Sequence, residues 1–255
     1  MDFTNKHAII TGGANGIGRC ISETFLAANA KVTVIDTDAQ AGQYLCSRFP
    51  NLQFFHGDIS DRAILDIFVE NLQQPVDFLI NNACVGRKGL LSNCSWEDFE
   101  YVQRIGVTAP YYLTSMLMQK GLLALGASIV NIASTRALQS QRDTESYSAA
   151  KGGILALTHS MSVSLAGKVR VNAISPGWIE TSLYHGSGNQ ASHSSEDKSQ
   201  HPAGRVGVPE DIAQMVMFLC NNKKAGFITG ENIVIDGGMS KLMVYNDDSG
   251  WSFEV

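Results

Sequence analysis

The sequence has little charge, few cysteines and no long apolar run. Only 17% of its 255 residues are charged, and acidic residues outnumber basic ones by 24 to 19, for a net charge of -5. The chain therefore lacks the basic footprint of a nucleic-acid-binding domain, and we expect no nucleic-acid partner. No apolar stretch reaches the roughly 18 residues that a membrane-spanning helix needs, so we expect no membrane partner either.

Its 5 cysteines are odd in number and scattered, without the paired spacing of a zinc or redox motif. We therefore expect reduced thiols and no metal site. The first residues, MDFTNKHAIITGG, contain no basic segment followed by an apolar run and a cleavage site, so no signal peptide is expected and a cytoplasmic protein is favoured. His185, His193 and His201 occur at irregular spacing in a polar stretch, which favours solvated side chains over metal ligands.

The sequence is rich in short β-branched segments that alternate with longer helical patterns. HAIIT, KVTVID, VDFLINNA and SIVNIAS are typical of buried strands, and the longest helical patterns lie near 95–124 and 145–167. Seven strands joined by helical crossovers predict an α/β, Rossmann-like, doubly wound fold with a seven-stranded parallel sheet and helices on both faces. The length and the 44% hydrophobic content are sufficient for one domain over residues 1–255.

Two stretches interrupt this alternation. Residues 184–203 are polar and rich in Gly and Ser, as expected for a lid over a substrate. Residues 239–255 form a tail, in which Trp251 and Phe253 indicate docking onto the domain.

The first predicted strand runs directly into the glycine-rich segment TGGANGIG. Gly12, Gly16 and Gly18 permit a tight turn in which backbone N–H groups at a helix N-terminus face a pyrophosphate. Many loops contain three glycines, but here a strand precedes the turn, a helical pattern follows it and Asp36 ends the next strand. This context indicates a dinucleotide site.

Asp36 also bears on the choice of cofactor. Its carboxylate can accept hydrogen bonds from the adenosine ribose hydroxyls and would repel a 2′-phosphate, which favours NAD over NADP. A turn or N-cap role is the alternative, and Asp38 could equally fill that role. Arg19 is the nearby group that could weaken the preference for NAD, although we expect a solvated helix arginine.

YSAAK places Tyr147 and Lys151 four residues apart, on one face of a helix. A phenol is a poor base at neutral pH, and a nearby ammonium favours its anionic form, so Lys151 is expected to prepare Tyr147 for proton transfer. An ordinary helix pair with a snorkelling lysine is the alternative. Ser134, at the end of SIVNIAS, adds a hydroxyl at a strand end and favours the catalytic interpretation.

These motifs resemble those of the short-chain dehydrogenase/reductase family, over nearly the whole chain from TGGANGIG through YSAAK to ITGENIVIDGG. The resemblance implies that Tyr147 exchanges a proton with the substrate hydroxyl or carbonyl and that Ser134 hydrogen-bonds the same oxygen. Lys151 would also hold the nicotinamide ribose. These three residues are the expected catalytic set, and hydride would move between the substrate carbon and the nicotinamide ring.

The resemblance also implies a set of cofactor-binding residues. Asp58 would bind the adenine amino group, and the segment from Pro176 to Thr181 would surround the nicotinamide carboxamide. The full expected set is Gly12, Asn15, Gly16, Ile17, Gly18, Asp36, Asp58, Ile59, Asn82, Ala83, Tyr147, Lys151, Pro176, Gly177, Ile179 and Thr181.

Two positions depart from the family pattern. Gly106 stands where the family has asparagine, whose backbone carbonyl holds a water that links the lysine to solvent, and Cys84 stands where glycine is usual. Gly106 has three competing interpretations. The protein is a decayed enzyme that only binds nucleotide, or the glycine is a bend without catalytic meaning. In the third interpretation the change is coupled, and the Cys84 thiol or an ordered water fills the volume of the lost side chain. The intact Ser134, Tyr147 and Lys151 argue against decay, and we favour the coupled change.

Substrate choice is expected in three loops: TRALQSQRDTES with Thr135, VGRKGLLSNC, and the lid. Their polarity favours a secondary alcohol or ketone that is small and polar, such as a sugar or polyol. The alternatives are a 3-oxoacyl thioester substrate and a nucleotide-binding regulatory or structural protein without turnover. The helices near 105–124 and 145–167 are so weakly amphipathic that we expect them to form a homodimer or homotetramer interface; burial within one subunit is the alternative.

Overall fold

A parallel seven-stranded sheet forms the centre of the computed structural model, which describes residues 1–185, 188 and 191–243. The strands are β1 (His7–Thr11), β2 (Lys31–Asp36), β3 (Leu52–His56), β4 (Val76–Asn81), β5 (Leu123–Ile132), β6 (Val169–Pro176) and β7 (Asn232–Ile235). They lie in the order β3-β2-β1-β4-β5-β6-β7, which confirms the doubly wound topology predicted from the sequence. The direction of winding reverses between β1 and β4, where such folds place their ligands.

Helices cover both faces of the sheet, as predicted. They are α1 (Gly16–Ala27), α2 (Ala39–Arg48), α3 (Arg62–Glu70), α4 (Trp96–Gln103), α5 (Ala109–Gln119), α6 (Glu145–Ser164), α7 (Ser195–Ser199), α8 (Pro209–Cys220) and α9 (Asn222–Ala225). Alternation along β1 sends Ile10 into a core with α1 and α8, and Ile9 into a core with α3, α5 and α6.

The helical region predicted near 95–124 is present, but its C-terminal boundary was placed too late in the chain. It is divided by a π-helical turn, Arg104–Thr108, between α4 and α5, and β5 already begins at Leu123. Gly121 follows the end of α5 with a positive φ of 65°, a conformation that glycine adopts without strain and that ends the helix. The first residues of β5 are as apolar as α5, so the sequence pattern does not mark the boundary between this helix and this strand.

The proposed lid contains a short ordered element. The helix α7 begins with a capping box between Ser194 and Asp197, and a 3-10 turn covers Ser182–Tyr184. The expected docking of Trp251 and Phe253 lies outside the described residues. Among the residues with described structure, no helix combines the length and the apolar character needed to cross a bilayer.

Candidate active site

The carboxyl ends of the central strands open into an elongated cavity of about 560 Å³, hereafter the cofactor cavity. Every expected cofactor-binding residue lines it except Gly18, which is buried behind the turn. A β-carbon on Gly18 would overlap the carbonyl oxygen of Gly12, so this glycine lets α1 pass close to the turn. The lining residues that the sequence did not indicate include Ile35, Thr37, Gly57, Val85, Gly86, Tyr101, Ile105, Ile132, Ala133 and His185.

The glycine turn is tied directly to the end of β4. Gly12 has a φ of +63°, and a β-carbon there would lie 2.8 Å from Cα of Ala83. The hydroxyl oxygen of Thr11 accepts hydrogen bonds from the backbone N–H groups of Asn82 and Ala83, both at 3.1 Å. The Asn82 side chain donates back to the carbonyl of Gly12 at 2.9 Å. This contact leaves the start of α1 as bare backbone facing the cavity, a surface suited to a phosphate group.

Asp38 takes the N-cap role, and Asp36 also makes the turn contact that was its alternative role, by accepting from the N–H of Asp38 at 3.0 Å. A ribose contact of Asp36 stays a prediction. The carboxylate of Asp38 caps α2 by accepting from the N–H of Ala41 at 2.9 Å. The carboxylate of Asp36 instead turns towards the glycine turn, where it accepts from the N–H of Ala14 at 3.0 Å. Because each carboxylate oxygen can accept more than one hydrogen bond, Asp36 is held in place and still has acceptor capacity for a ligand.

The expectation that Arg19 is solvated is wrong. Its side chain is 12% exposed and forms an ion pair with Glu23 at 2.9 Å. The guanidinium also lies 5.4 Å from the ring centre of Tyr44 and 5.8 Å from that of Tyr184. Arg19 is therefore neutralised and stacked, because α1 brings Glu23 one turn away and two aromatic side chains cover its apolar stem.

A second acidic group faces the cofactor cavity near α4. The hydroxyl of Tyr101 donates to Asp58 at 2.8 Å, and the N–H of Ser60 donates to the other carboxylate oxygen at 2.8 Å. Burial opposes ionisation of Asp58, but these hydrogen bonds outweigh it and lower the pKa of the carboxyl. No local pattern in the sequence indicated Tyr101, because its contact with Asp58 depends on how α4 lies over the β3 end.

The three expected catalytic residues meet at one end of this cavity. Tyr147 and Lys151 lie on α6, and the Lys151 Nζ is 5.5 Å from the ring centre of Tyr147. Lys151 is buried and donates to the carbonyl of Ile132, at the end of β5, at 2.6 Å. Ser134 lines the same end of the cavity as Tyr147, and its hydroxyl lowers the pKa of the tyrosine. The strand end of β5 therefore positions both the serine and the lysine against the tyrosine.

Four influences act on the acidity of Tyr147. Burial raises the pKa of its hydroxyl, the positive charge of Lys151 lowers it, Cys84 raises it and Ser134 lowers it. Lys151 acts in the direction that the sequence predicted, but burial outweighs it and the pKa of Tyr147 lies above its ordinary value. The Cys84 thiol lines the cofactor cavity and raises the pKa of the Tyr147 hydroxyl.

Packing explains Gly106, and the expectation that the Cys84 thiol fills the lost volume is wrong. Gly106 lies in the π-helical turn, where the three atoms nearest to an added β-carbon would all belong to Ala150, the closest at 2.8 Å. The space of the missing side chain is therefore filled by α6, not by the thiol. Pro110, four residues onward, has no N–H, so the carbonyl of Gly106 lacks its usual α-helical donor.

A second cavity of about 720 Å³, hereafter the substrate cavity, meets the first at the catalytic residues. Both are lined by Ser134 and Tyr147. All three loops that were expected to select the substrate contribute to the second, together with Thr135, although Arg142 is not part of its lining. The other lining residues are Gly86, Arg87, Arg136, Gln139, Ser140, Gln141, Thr144, Gly177, Trp178, Ile179, Gln200 and Met239.

The expectation of three solvated histidines holds only for His185, which is exposed. His201 is 1% exposed, with Nδ1 3.1 Å from the carbonyl of Asp197 and its ring 6.0 Å from that of Trp178. His193 lies 3.6 Å from Glu180 and edge-on to Trp178. Burial beneath α7 explains the difference. Within the described ranges, no group of histidine, cysteine and acidic residues is arranged to hold a metal.

Comparison with known proteins is consistent with this geometry. Residues 12–240 match a family profile described as enoyl-(acyl carrier protein) reductase. An uncharacterised oxidoreductase of Thermotoga maritima is 41% identical, over 95% of this chain and 98% of its own length. A 3-oxoacyl-[acyl-carrier-protein] reductase of Chlamydia pneumoniae is 32% identical, over 94% of this chain and 100% of its own.

Solved structures show the same fold. The apo structure of a SCOR enzyme from Clostridium thermocellum has a TM-score of 0.86 at 44% identity and covers 99% of this chain and 100% of its own. BdcA in complex with NADPH scores 0.81 at 25% identity, covering 92% and 94%. A 4-hydroxyisoleucine dehydrogenase with NADH scores 0.78 at 28% identity, covering 94% and 100%. The chain belongs to the short-chain dehydrogenase/reductase family of oxidoreductases.

Proposed function

We propose that this protein is an NAD-dependent oxidoreductase that interconverts a secondary alcohol and a ketone on a small polar substrate. One observation carries the proposal. Tyr147 and Ser134 line both cavities where they meet, and the ammonium of the buried Lys151 lies 5.5 Å from the ring centre of Tyr147. A proton-transferring group in this position can serve a substrate in one cavity while a dinucleotide occupies the other.

The proposed chemistry divides the work between cofactor and protein. A bound nicotinamide supplies the carbon that accepts or releases hydride. During oxidation, Tyr147 as phenolate takes the hydroxyl proton of the alcohol, and Ser134 donates a hydrogen bond to the same oxygen. Lys151 stabilises the phenolate through its charge, while burial keeps water from competing for these contacts. During reduction, Tyr147 returns the proton to the carbonyl oxygen.

The cofactor cavity fits a dinucleotide, and the preference for NAD follows from its charges. The bare backbone at the start of α1 and the positive φ of Gly12 suit a pyrophosphate. Asp36 offers acceptors to ribose hydroxyls and would repel a 2′-phosphate. Arg19, the cation that would attract such a phosphate, is already paired with Glu23. Structural relatives contain either NADPH or NADH, so this preference is a property to measure on this chain.

The polar lining of the substrate cavity supports a small polar substrate. Its side chains are mainly amides, hydroxyls and guanidinium groups, and Trp178, Ile179 and Met239 are its larger apolar ones. A 3-oxoacyl thioester is the second candidate, because relatives at about 30% identity are named as reductases of that class. The thioester requires an apolar path for a long acyl chain, whereas a short acyl group could also enter this cavity.

We also propose a cytoplasmic homodimer or homotetramer. All 5 cysteines are free thiols, as expected in a reducing compartment. The helices near 105–124 and 145–167 carry exposed apolar side chains, with Tyr111 57%, Met118 42% and Val163 76% exposed. An interface between copies would bury them. Light scattering on the purified protein measures its mass in solution. A wild-type monomer would contradict the oligomer, and an oligomer whose mass is unchanged by Tyr111→Glu would contradict this interface.

A spectrophotometric screen tests the proposed activity. Wild-type protein is mixed with NAD or NADP and a panel of polyols, sugars and hydroxy acids, and with NADH or NADPH and a short 3-oxoacyl thioester. We expect substrate-dependent change in nicotinamide absorbance that Tyr147→Phe removes. Dinucleotide binding without turnover of any panel member would favour the regulatory alternative, and turnover unaffected by Tyr147→Phe would contradict the mechanism.

A further inference from the structure

We propose that Arg136 forms an anion-binding subsite next to the reacting atoms, and that the preferred substrate is a short hydroxy or oxo acid bound through its carboxylate. The inference rests on the proposed function, since it names the substrate class of the same site. It replaces the expectation of a neutral sugar or polyol with a substrate of defined charge.

The fold places Arg136 beside the catalytic hydroxyls. It lies in the 3-10 turn Thr135–Ala137 that directly follows Ser134, and its backbone N–H donates to the Ser134 hydroxyl oxygen at 3.2 Å. Its guanidinium carbon lies 5.6 Å from the ring centre of Tyr147. The Gln141 side chain accepts a hydrogen bond from the guanidinium. The charged group is thereby held over the wall of the substrate cavity that also carries the serine and the tyrosine.

Arg136 differs from the other arginine of this cavity in its charge balance. Arg87 forms an ion pair with Asp98 at 3.1 Å and is stacked over Tyr101. The partners of Arg136 are a neutral amide and an aromatic ring, and among the described residues no carboxylate lies within ion-pair distance of it. Nor does any described acidic residue line the substrate cavity.

This arrangement favours a carboxylate over a neutral ligand. A guanidinium has five N–H donors, and the described residues supply one side-chain acceptor, Gln141, to that of Arg136. A carboxylate can accept two parallel hydrogen bonds from the guanidinium, and its negative charge would balance a half-buried cation that has no acid partner among the described residues. A polyol hydroxyl offers one neutral contact and leaves the charge unbalanced.

The position of Arg136 also limits the distance between the two ends of the substrate. The guanidinium and the catalytic hydroxyls share one wall, and Arg136 is two residues from Ser134. A carboxylate on this cation and a reacting carbon at Tyr147 therefore belong to a short molecule. Gln139, Ser140 and Gln200 line the rest of the cavity and can hydrogen-bond further polar groups.

The first test compares an acid with its neutral ester. The kcat/KM is measured with NAD for 2-hydroxybutanoate, 3-hydroxybutanoate and 4-hydroxypentanoate and for their methyl esters, using wild type, Arg136→Gln, Arg136→Lys and Arg142→Gln. Arg142 is the matched control, because it is exposed in the same loop and does not line the cavity. We expect Arg136→Gln to lower kcat/KM for the best acid by roughly 10- to 100-fold and to leave its ester unchanged. The kcat/KM of Arg136→Lys for the acid should lie between those of wild type and Arg136→Gln, and that of Arg142→Gln should equal the wild-type value.

The second test does not depend on turnover. Titration calorimetry with the protein saturated with NADH measures the Kd of 3-hydroxybutanoate and 2-hydroxybutanoate for the same variants, because the reduced cofactor cannot oxidise a hydroxy acid. We expect the Kd of the preferred hydroxy acid to rise by roughly 10- to 100-fold in Arg136→Gln and to stay unchanged in Arg142→Gln. Equal affinity in wild type and Arg136→Gln, or equal losses for acid and ester, would overturn the subsite. Turnover of neutral alcohols without preference for acids would overturn the subsite but leave the proposed function standing. Acid binding that depends on Arg136, without turnover of any acid or alcohol, would contradict the proposed function alone.

Discussion

The two cavities that meet at Tyr147 differ in how they are built and in the charge they present. The cofactor cavity is formed at strand ends by close backbone contacts, such as that of Gly12 with Ala83, and its lining includes the carboxylates Asp36 and Asp58. The substrate cavity is formed by loop side chains, includes Arg136, and has no acidic residue among the described lining. The first therefore offers acceptors to neutral hydroxyl and amino groups, whereas the second offers donors and positive charge to an electron-rich ligand.

The largest effect is expected at the junction of the two cavities. Tyr147→Phe removes the proton-transferring oxygen but keeps the ring that packs between them, so turnover should fall by about a thousandfold. The Kd of NADH, measured by fluorescence titration, should change little, because the rest of the cofactor cavity is untouched. Equal losses of NADH binding and turnover would show that the tyrosine is needed to shape the cofactor cavity. They would contradict the claim that the two cavities have separate roles.

The packing of α6 against the π-helical turn requires a residue without a side chain at position 106. Gly106→Ala places a methyl group 2.8 Å from the Ala150 Cβ on the helix that carries Tyr147, and should lower the free energy of unfolding by about 2 kcal/mol. Ala150→Gly in the same chain should restore most of that loss. Urea denaturation measures both, with Gly152→Ala as the control, because its new methyl group meets only the Ala137 carbonyl at 4.0 Å. A fully stable Gly106→Ala protein would contradict the packing explanation.

The charge of the cofactor cavity can be changed at one residue. Asp36→Ser removes the carboxylate that would repel a 2′-phosphate and should lower the kcat/KM preference for NAD over NADP by about tenfold. Asp61→Ser is the control, since Asp61 caps α3 and does not line the cavity. An unchanged cofactor ratio in Asp36→Ser would mean that another group selects the cofactor.

The smallest expected effect is on the pH dependence. Cys84 raises the pKa of Tyr147, so Cys84→Gly should lower that pKa and keep the phenolate form populated at lower pH. The rising limb of kcat/KM for alcohol oxidation should therefore move to lower pH. Cys46→Ser, at an exposed position on α2, should leave the profile unchanged. Movement of the limb to higher pH would contradict the assigned influence of the thiol.

The sequence was sufficient to predict the seven-stranded parallel sheet, its doubly wound topology and the glycine turn after its first strand. These follow from short-range rules: buried strands are apolar, and close backbone approach requires glycine at fixed spacing. The same rules identified Asp36, because a carboxylate at the end of the second strand must lie beside the turn in this topology. The boundary between α5 and β5 was not predictable, since LLALG continues the apolar character of the helix into the strand.

The side-chain partners of the site were not predictable from local patterns. The hydrogen bond of Tyr101 with Asp58 joins residues 43 apart, and the buried His201 has its ring 6.0 Å from that of Trp178. Gly106 was visible as an exception, but its cause, contact with Ala150, appears only when the π-helical turn is placed against α6. Such contacts depend on tertiary packing, which propensity and spacing do not describe.

Isotope transfer tests most directly that the two cavities form one site joined at Tyr147. The wild-type protein and NAD are incubated with hydroxy acids, sugar alcohols and simple secondary alcohols that carry deuterium on the hydroxyl-bearing carbon, and the reduced cofactor is examined by NMR. We predict deuterium at nicotinamide C4, on a single face, with the best member of the panel, and none with Tyr147→Phe over the same time. No deuterium transfer from any panel member, or equal transfer in Tyr147→Phe, would contradict the account.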